Sequence, residues 1–229
     1  MRKILLSSTI AMVLSSASYI AHAAESASLA VTGTITPSTC NVNMTSASLD
    51  FSTISASTLT KDFNLFQASP LKVTVVCDAA TAVALQTTDN RASSAMTIAE
   101  VNSEMKAPMN TSDDHTIFGL GSDSANNKVG ALILGIESAT LNGNENSNLL
   151  TSTDKSTWST QAISANSGYV LAKGGYFALA ENAASTTPAP VSEASYSLQG
   201  GIVLKKADKY PSGENVNIDG NVTFSVVYL

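Results

Sequence analysis

Alternation of apolar and polar residues is the feature that most restricts the fold of this chain. In one clear case, Leu71, Val73 and Val75 alternate with Lys72 and Thr74. A period of two residues is typical of a β-strand that buries one face. This pattern, with the abundance of β-branched residues, predicts strands at 27–35, 71–77, 81–87, 129–136, 169–180, 196–205 and 222–229.

Turn-forming residues separate the predicted strands. Gly, Asn and Pro, which favour turns, cluster at 122–128, 141–148 and 182–190. Residues 78–80 separate the predicted strands at 71–77 and 81–87, and residues 95–105 fit either a short helix or an irregular insertion. Strands joined by turns predict an all-β fold, a sandwich of two sheets. We expect one domain over 37–229, with an insertion-rich middle at about 89–165.

The first residues carry the pattern of a secretory signal peptide, at 1–23. Arg2 and Lys3 precede an uncharged, largely apolar stretch, which ends in Ala21-His22-Ala23. The alternative is a transmembrane anchor, which is disfavoured because serines dilute the apolar run. We expect cleavage between Ala23 and Ala24, and therefore export of the chain.

Cys40 and Cys77 are the two cysteines of the chain. Exported proteins meet an oxidising compartment, where an even pair of cysteines favours a disulfide. A metal site is the alternative, but after signal cleavage only His115 remains to supply an imidazole ligand. We therefore predict a disulfide between Cys40 and Cys77, with no metal and no other cofactor.

Charged side chains are scarce, and their balance is acidic. They make up 13% of the residues, about half of the roughly 25% found in ordinary domains. Loss of Arg2 and Lys3 with the signal peptide takes the net charge from −6 to −8 and leaves Arg91 as the only arginine. An acidic chain is poorly suited to nucleic acid or to anionic membrane surfaces, which both attract basic patches.

Catalytic groups are hard to assemble from this composition. A Ser–His–Asp triad would have to use His115, and the chain has no Gly-x-Ser-x-Gly motif. The Asp-Asp-His run at 113–115 offers too few ligands for zinc, and the loop at 123–127 offers too few for calcium. Both segments are therefore expected to be solvated loops. Arg91 is expected to pair with a nearby carboxylate such as Asp89. We predict that the protein is not an enzyme.

The two ends of the mature chain share one pattern. Apolar residues alternate in the segment before Cys40 and again in the last nine residues, which end with a penultimate tyrosine, Tyr228. Together with the signal peptide and the spacing to Cys77, this arrangement resembles the pilin subunits of bacterial chaperone–usher fimbriae. The stretches 72–80, 89–91, 118–121 and 128–131 are also similar to a little-characterised proteobacterial family of secreted, fimbria-associated proteins.

The resemblance implies an immunoglobulin-like, pilin-type sandwich that lacks its last strand and is completed by a strand from another protein. Residues 24–36 would be a donor-strand extension that runs into the first strand. The implied donor residues are Ala27, Leu29, Val31, Gly33 and Ile35. The implied acceptor groove is lined by Val222, Phe224, Val226 and Tyr228, and the carboxylate of Leu229 would contact the chaperone.

The function expected from the resemblance is that of a structural subunit of a surface fimbria that supports cell adhesion. Its expected partners are a periplasmic chaperone, an outer-membrane usher, neighbouring subunits and, on the finished fibre, a host glycan or surface receptor. Its route would run through the periplasm to the cell surface. The alternative is a tip adhesin or a self-complete carbohydrate-binding sandwich, for which Trp158 and Tyr169 are candidate sugar-stacking residues.

Overall fold

The computed structural model describes residues 28–106, 113–163 and 168–229. The predicted signal peptide, its cleavage residues Ala21, Ala23 and Ala24, and the donor residue Ala27 lie outside these ranges. The chain divides into two units, Met1–Thr36 and Pro37–Leu229. In the first unit, residues 28–36 form no helix or strand and are exposed to solvent.

Strands dominate the second unit. Its described part contains twelve strands and one α-helix of eight residues, α1. In chain order these are β1 Cys40–Met44, β2 Phe63–Gln67, β3 Leu71–Asp89, α1 Ile98–Met105, β4 Phe118–Gly119, β5 Gly130–Leu141, β6 Asn144–Glu145, β7 Asn148–Ser152, β8 Ser159–Ala162, β9 Tyr169–Val170, β10 Tyr176–Leu179, β11 Pro190–Lys205 and β12 Val222–Tyr228.

The strands form two antiparallel sheets that share β3. In the first sheet, β3 lies between β1 and β11, β11 also pairs with β2, and β5 pairs with β11, β4, β6 and β9. In the second sheet, the later part of β3 lies between β12 and β10, and the order continues through β7 to β8. This arrangement confirms the predicted all-β, sandwich-like fold.

The main core lies between the two sheets. Phe177 of β10 is almost fully buried and meets the ring of Tyr196 of β11 edge to face, with the ring centroids 5.0 Å apart. Alternate residues of β3 point into this core, from Val73 and Val75 in the first sheet to Val83 and Leu85 in the second. The two-residue period of apolar residues in β3 therefore marks the side chains that face the core, as expected for a strand with one buried face.

The predicted strands at 71–77 and 81–87 are in fact one strand, because β3 runs through residues 78–80 without interruption. They are exposed, and the chain changes neighbours around them: β1 pairs with residues 73–77 and β12 with residues 83–89. The loss of alternation at 78–80 therefore marks the passage of one strand from the first sheet to the second.

The predicted strand at 169–180 is in fact two strands, β9 and β10, separated by a turn at Lys173-Gly174. Gly174 has a φ of +76°, a left-handed conformation that glycine adopts without strain. The predicted strand at 27–35 is absent from the described residues 28–35, and the first strand begins only at Cys40.

The uncertain stretch at 95–105 contains the helix α1. Thr97 caps its first turn by accepting a hydrogen bond from the Glu100 backbone N–H, and the Glu100 carboxylate accepts one from the Thr97 N–H in return. Val101 and Met105 pack with Ala131 and Val203 in a second, smaller apolar cluster. No helix among the described residues is long and apolar enough to cross a membrane.

Candidate functional site

A disulfide ties the first strand to the shared strand. Cys40 of β1 lies directly opposite Cys77 of β3, and their sulfur atoms are bonded. The predicted disulfide is confirmed. It holds β1 beside β3, and no described strand pairs with the other edge of β1.

The residues just before Cys40 are held by one carboxylate. Asp78 accepts hydrogen bonds from the Ser38 hydroxyl at 2.7 Å, the Thr39 backbone N–H at 2.8 Å and the Thr39 hydroxyl at 3.1 Å. The Ser38 hydroxyl, followed by the Thr39 N–H, lowers the pKa of Asp78 below its ordinary value. The second unit therefore begins at a fixed point, beside the passage of β3 between the sheets.

The last strand, β12, lies at an open edge of the second sheet. It pairs with β3 from Val222 opposite Asp89 to Tyr228 opposite Val83, and the described chain places no strand along its other side. Val222, Phe224 and Val226 pack against the core but remain half-buried. The core beneath them is therefore only partly covered.

Tyr228 joins the last strand to the first. Its hydroxyl accepts a hydrogen bond of 2.7 Å from the Cys40 backbone N–H, although 51% of its surface is exposed. Leu229 continues the pairing with β3 by donating its N–H to the Ala82 carbonyl at 3.2 Å. The structure thus brings the predicted groove residue Tyr228 together with the disulfide at one corner of the sandwich.

From this corner, half-buried apolar side chains extend along both the first and the last segments of the unit. We call the space between these two rows the groove. One row consists of Cys40, Val42, Leu49, Phe51 and Ile54, and the other of Val216, Ile218, Val222, Phe224 and Val226.

Residues of both rows also line a cleft of about 960 Å³. Phe51 and Ile54 line it from one side and Val216 and Ile218 from the other. At its base the Tyr210 hydroxyl donates to the Val129 carbonyl at 2.8 Å, and burial raises the pKa of Tyr210 to about 12. The cleft therefore has a mixed lining, in which polar residues such as Asp50, Glu214 and Asn217 lie beside the apolar ones and the Tyr210 hydroxyl is already hydrogen-bonded.

Most of the groove was not predicted from the sequence. Leu49 and Phe51, like Val216 and Ile218, are two residues apart, which is a weak form of the strand signal. They lie in segments without strand pairing, and such short alternations among serines and asparagines do not stand out from loops. Recognising them requires the tertiary contacts.

The implied donor residues are exposed where the structure describes them. Leu29 and Val31 are each 89% exposed and Ile35 is 98% exposed. A Cβ built on Gly33 would meet nothing within 4 Å. The described structure therefore covers none of these apolar side chains, which alternate along the segment.

The other candidate sites have structural roles. Arg91 pairs with Asp219, at 2.8 Å and 3.0 Å, and not with Asp89, which binds the Arg91 backbone N–H. Asp123 accepts backbone N–H groups of its own turn. The described residues contain no group of three or more His, Cys, Asp or Glu side chains placed to share a metal ion.

The two candidate sugar-stacking residues are not brought together. Trp158 is half-buried beside β8 in the second sheet and donates its indole N–H to the Lys155 carbonyl at 3.1 Å. Tyr169 lies in β9 of the first sheet and packs against the core. A single stacking platform is therefore not formed by this pair.

Part of the chain matches the model of a protein family. Residues 29–133 match the profile of a family described as a protein of unknown function, DUF1120. The match begins in the exposed N-terminal segment and extends through β1, the disulfide and β3 into β5. No curated protein matches the chain.

Proposed function

We propose that this protein is a structural subunit of a surface fimbria, assembled by the exchange of one β-strand between successive copies. The groove of one copy accepts the N-terminal segment of the next. The observation that carries this proposal is the pairing of a half-covered core at an open sheet edge with an exposed segment of matching alternation.

The groove has the two properties that a strand acceptor needs. The free edge of β12 offers unpaired backbone N–H and C=O groups, which form a template for another strand. The half-buried side chains of Val222, Phe224 and Val226 offer apolar surface at a two-residue spacing. An added strand would form main-chain hydrogen bonds with the unpaired backbone groups of β12 and would cover the apolar side chains with its own alternate side chains.

The proposed donor matches the acceptor in length and period. Leu29 to Ile35 spans six residue steps, as does Val222 to Tyr228, which is about 20 Å of extended strand in each case. Each carries four inward positions at alternate residues. Because the first strand begins at Cys40, none of the donor residues is needed for the accepting domain's own sheet.

An open groove also implies which partners the subunit needs. An open groove would expose apolar surface and a sheet edge before assembly, so the subunit would need an escort in the periplasm. We propose a chaperone that lends a strand and contacts the exposed end at Leu229, then an outer-membrane usher at which the next subunit replaces it. The finished fibre would lie on the cell surface and support adhesion.

The test uses the two faces of the donor segment. In a strand bound in the groove, Leu29 and Val31 face inward, whereas Ala30 and Thr32 face away. We expect the double variant Leu29→Asp/Val31→Asp to reach the periplasm in a folded state but to reduce surface fibres at least tenfold, as counted by electron microscopy. The control Ala30→Asp/Thr32→Asp carries the same charges and should keep fibre numbers within twofold. Normal fibres from the first variant would contradict the donor assignment.

A further inference from the structure

Charged side chains are unevenly distributed along the sandwich. Asp78 lies where β3 passes between the sheets, Glu193 lies beside it on β11, Glu145 lies on β6 and Glu181 follows β10; we call these four carboxylates the acidic end. Glu193 is opposite Val76, and Glu145 pairs with Thr140 on the neighbouring strand. All four are exposed, and no described lysine or arginine forms an ion pair with them.

Lysines gather at the opposite end of β11. Lys61, Lys106, Lys206 and Lys209 surround the carboxylates of Asp62 and Asp208; we call this the lysine corner. Lys106 binds Asp62 at 2.8 Å, and Lys206 binds Asp208 at 3.0 Å. Lys106 above all, with smaller effects of Lys206 and Lys209, lowers the pKa of Asp62. Lys61 and Lys209 form no ion pair in the described structure and leave the corner with excess positive charge.

The two charged regions lie at opposite ends of the groove. Glu193 and Lys206 are thirteen residues apart along β11 and its end, which is about 40 Å in an extended strand. The acidic end adjoins Cys40, the point from which the donor segment leaves the domain. The lysine corner adjoins the cleft, which Ala207 and Asp208 help to line.

We propose that the acidic end of one subunit docks on the lysine corner of the next, and that these charges set the direction of strand addition. This inference rests on the proposed function. A donor strand antiparallel to β12 ends beside Val222, on the cleft side, so its own domain follows there and presents its acidic end to the lysine corner. A parallel donor would end beside Tyr228, where the acidic ends of both copies would meet and repel.

Electrostatic attraction of this kind acts mainly on the rate of association. Complementary patches raise association rates tenfold or more at low salt, and the effect is screened once the Debye length falls to about 10 Å near 0.1 M salt. The groove contacts, by contrast, are apolar and main-chain contacts. Salt should therefore slow subunit assembly without weakening the binding of an uncharged donor peptide.

The experiment follows self-association of the full mature chain, refolded from urea, by light scattering. At 20 mM NaCl we expect Lys61→Glu/Lys209→Glu to slow assembly about tenfold. The matched control Lys72→Glu/Lys155→Glu has the same net charge and should stay within twofold of the unsubstituted chain. Adding Glu145→Lys/Glu193→Lys to the first variant makes the acidic end neutral, which removes the repulsion between the two ends and restores the original net charge, and should recover part of the lost rate.

A capped peptide of residues 28–39, which has no charged side chain, separates the two proposals. Equal binding of the peptide to every variant, with the expected rates, supports both. If the chain lacking residues 24–36, which has no donor segment to fill the groove, fails to bind the peptide, the strand-exchange function is wrong. If the peptide binds but the lysine-corner variant assembles at the normal rate, or the four-site variant does not recover, the electrostatic docking is overturned and strand exchange stands.

Discussion

Phe224 lies where the groove meets the core. Its ring stands edge to face against Phe177, with the centroids 6.4 Å apart, and Phe177 in turn contacts Tyr196 of the other sheet. A half-buried aromatic side chain of the last strand is thus part of the contact that joins the two sheets. It therefore serves both the stability of the domain and the floor of the proposed acceptor site.

Replacement of Phe224 by alanine should affect both properties. We expect the free energy of unfolding in urea to fall by about 2 kcal/mol, below the 3–5 kcal/mol typical of a fully buried Phe, because this ring is only partly covered. Binding of the 28–39 peptide should weaken at least tenfold. Val227→Ala, on the opposite face of β12, is the control and should cost under 1 kcal/mol with unchanged peptide affinity. If both substitutions changed the free energy of unfolding and the peptide affinity equally, Phe224 would not be part of the acceptor site.

At the scale of elements, strands that bury one face were predictable and the passage between sheets was not. The alternation at 71–77 follows directly from burial of every second side chain, whereas the alternation at 222–228 belongs to a strand whose apolar side chains are only half-buried. At 78–80 no face is buried, so the sequence carries no period there. The residues before them pair with β1 and the residues after them pair with β12. These pairings, which are not visible in the sequence, make residues 78–80 part of one continuous strand.

The groove was predictable in part for the same reason. Its β12 wall has a regular period in the sequence, whereas Leu49 belongs to a segment without strand pairing and is half-buried through a tertiary contact. Gly200 of β11 makes room for that contact, since a Cβ at this position would collide with the Leu49 side chain. A contact between residues so far apart in sequence leaves no local signal.

The disulfide should matter for β1 more than for any other strand. β1 has only five residues and pairs on one side. A crosslink with a sequence separation of 37 stabilises a protein by about 4 kcal/mol in the chain-entropy account. We expect Cys40→Ser/Cys77→Ser to lower the free energy of unfolding by about that amount. Hydrogen exchange should become faster in β1 well before it does in β5 or β11; uniform acceleration in all strands would contradict a local role.

For the whole molecule, the open groove means that the isolated domain leaves favourable contacts unmade. A ligand that binds only the folded state adds RT ln(1 + [L]/Kd) to the free energy of unfolding, or about 2.7 kcal/mol at a concentration one hundred times its Kd. A donor strand should act in this way, because the unfolded chain has no groove. A domain already complete would gain nothing from a further strand.

We therefore expect the mature chain lacking residues 24–36 to unfold at a higher urea concentration when the 28–39 peptide is added, with a gain that grows with the logarithm of peptide concentration. Since the truncated chain has no donor of its own, the comparison is free of self-assembly. A peptide with Leu29→Asp and Val31→Asp should give no gain, whereas one with Ala30→Asp and Thr32→Asp should act nearly as well as the natural sequence. If all three peptides stabilise the domain equally, or none does, the second unit is a self-complete sandwich.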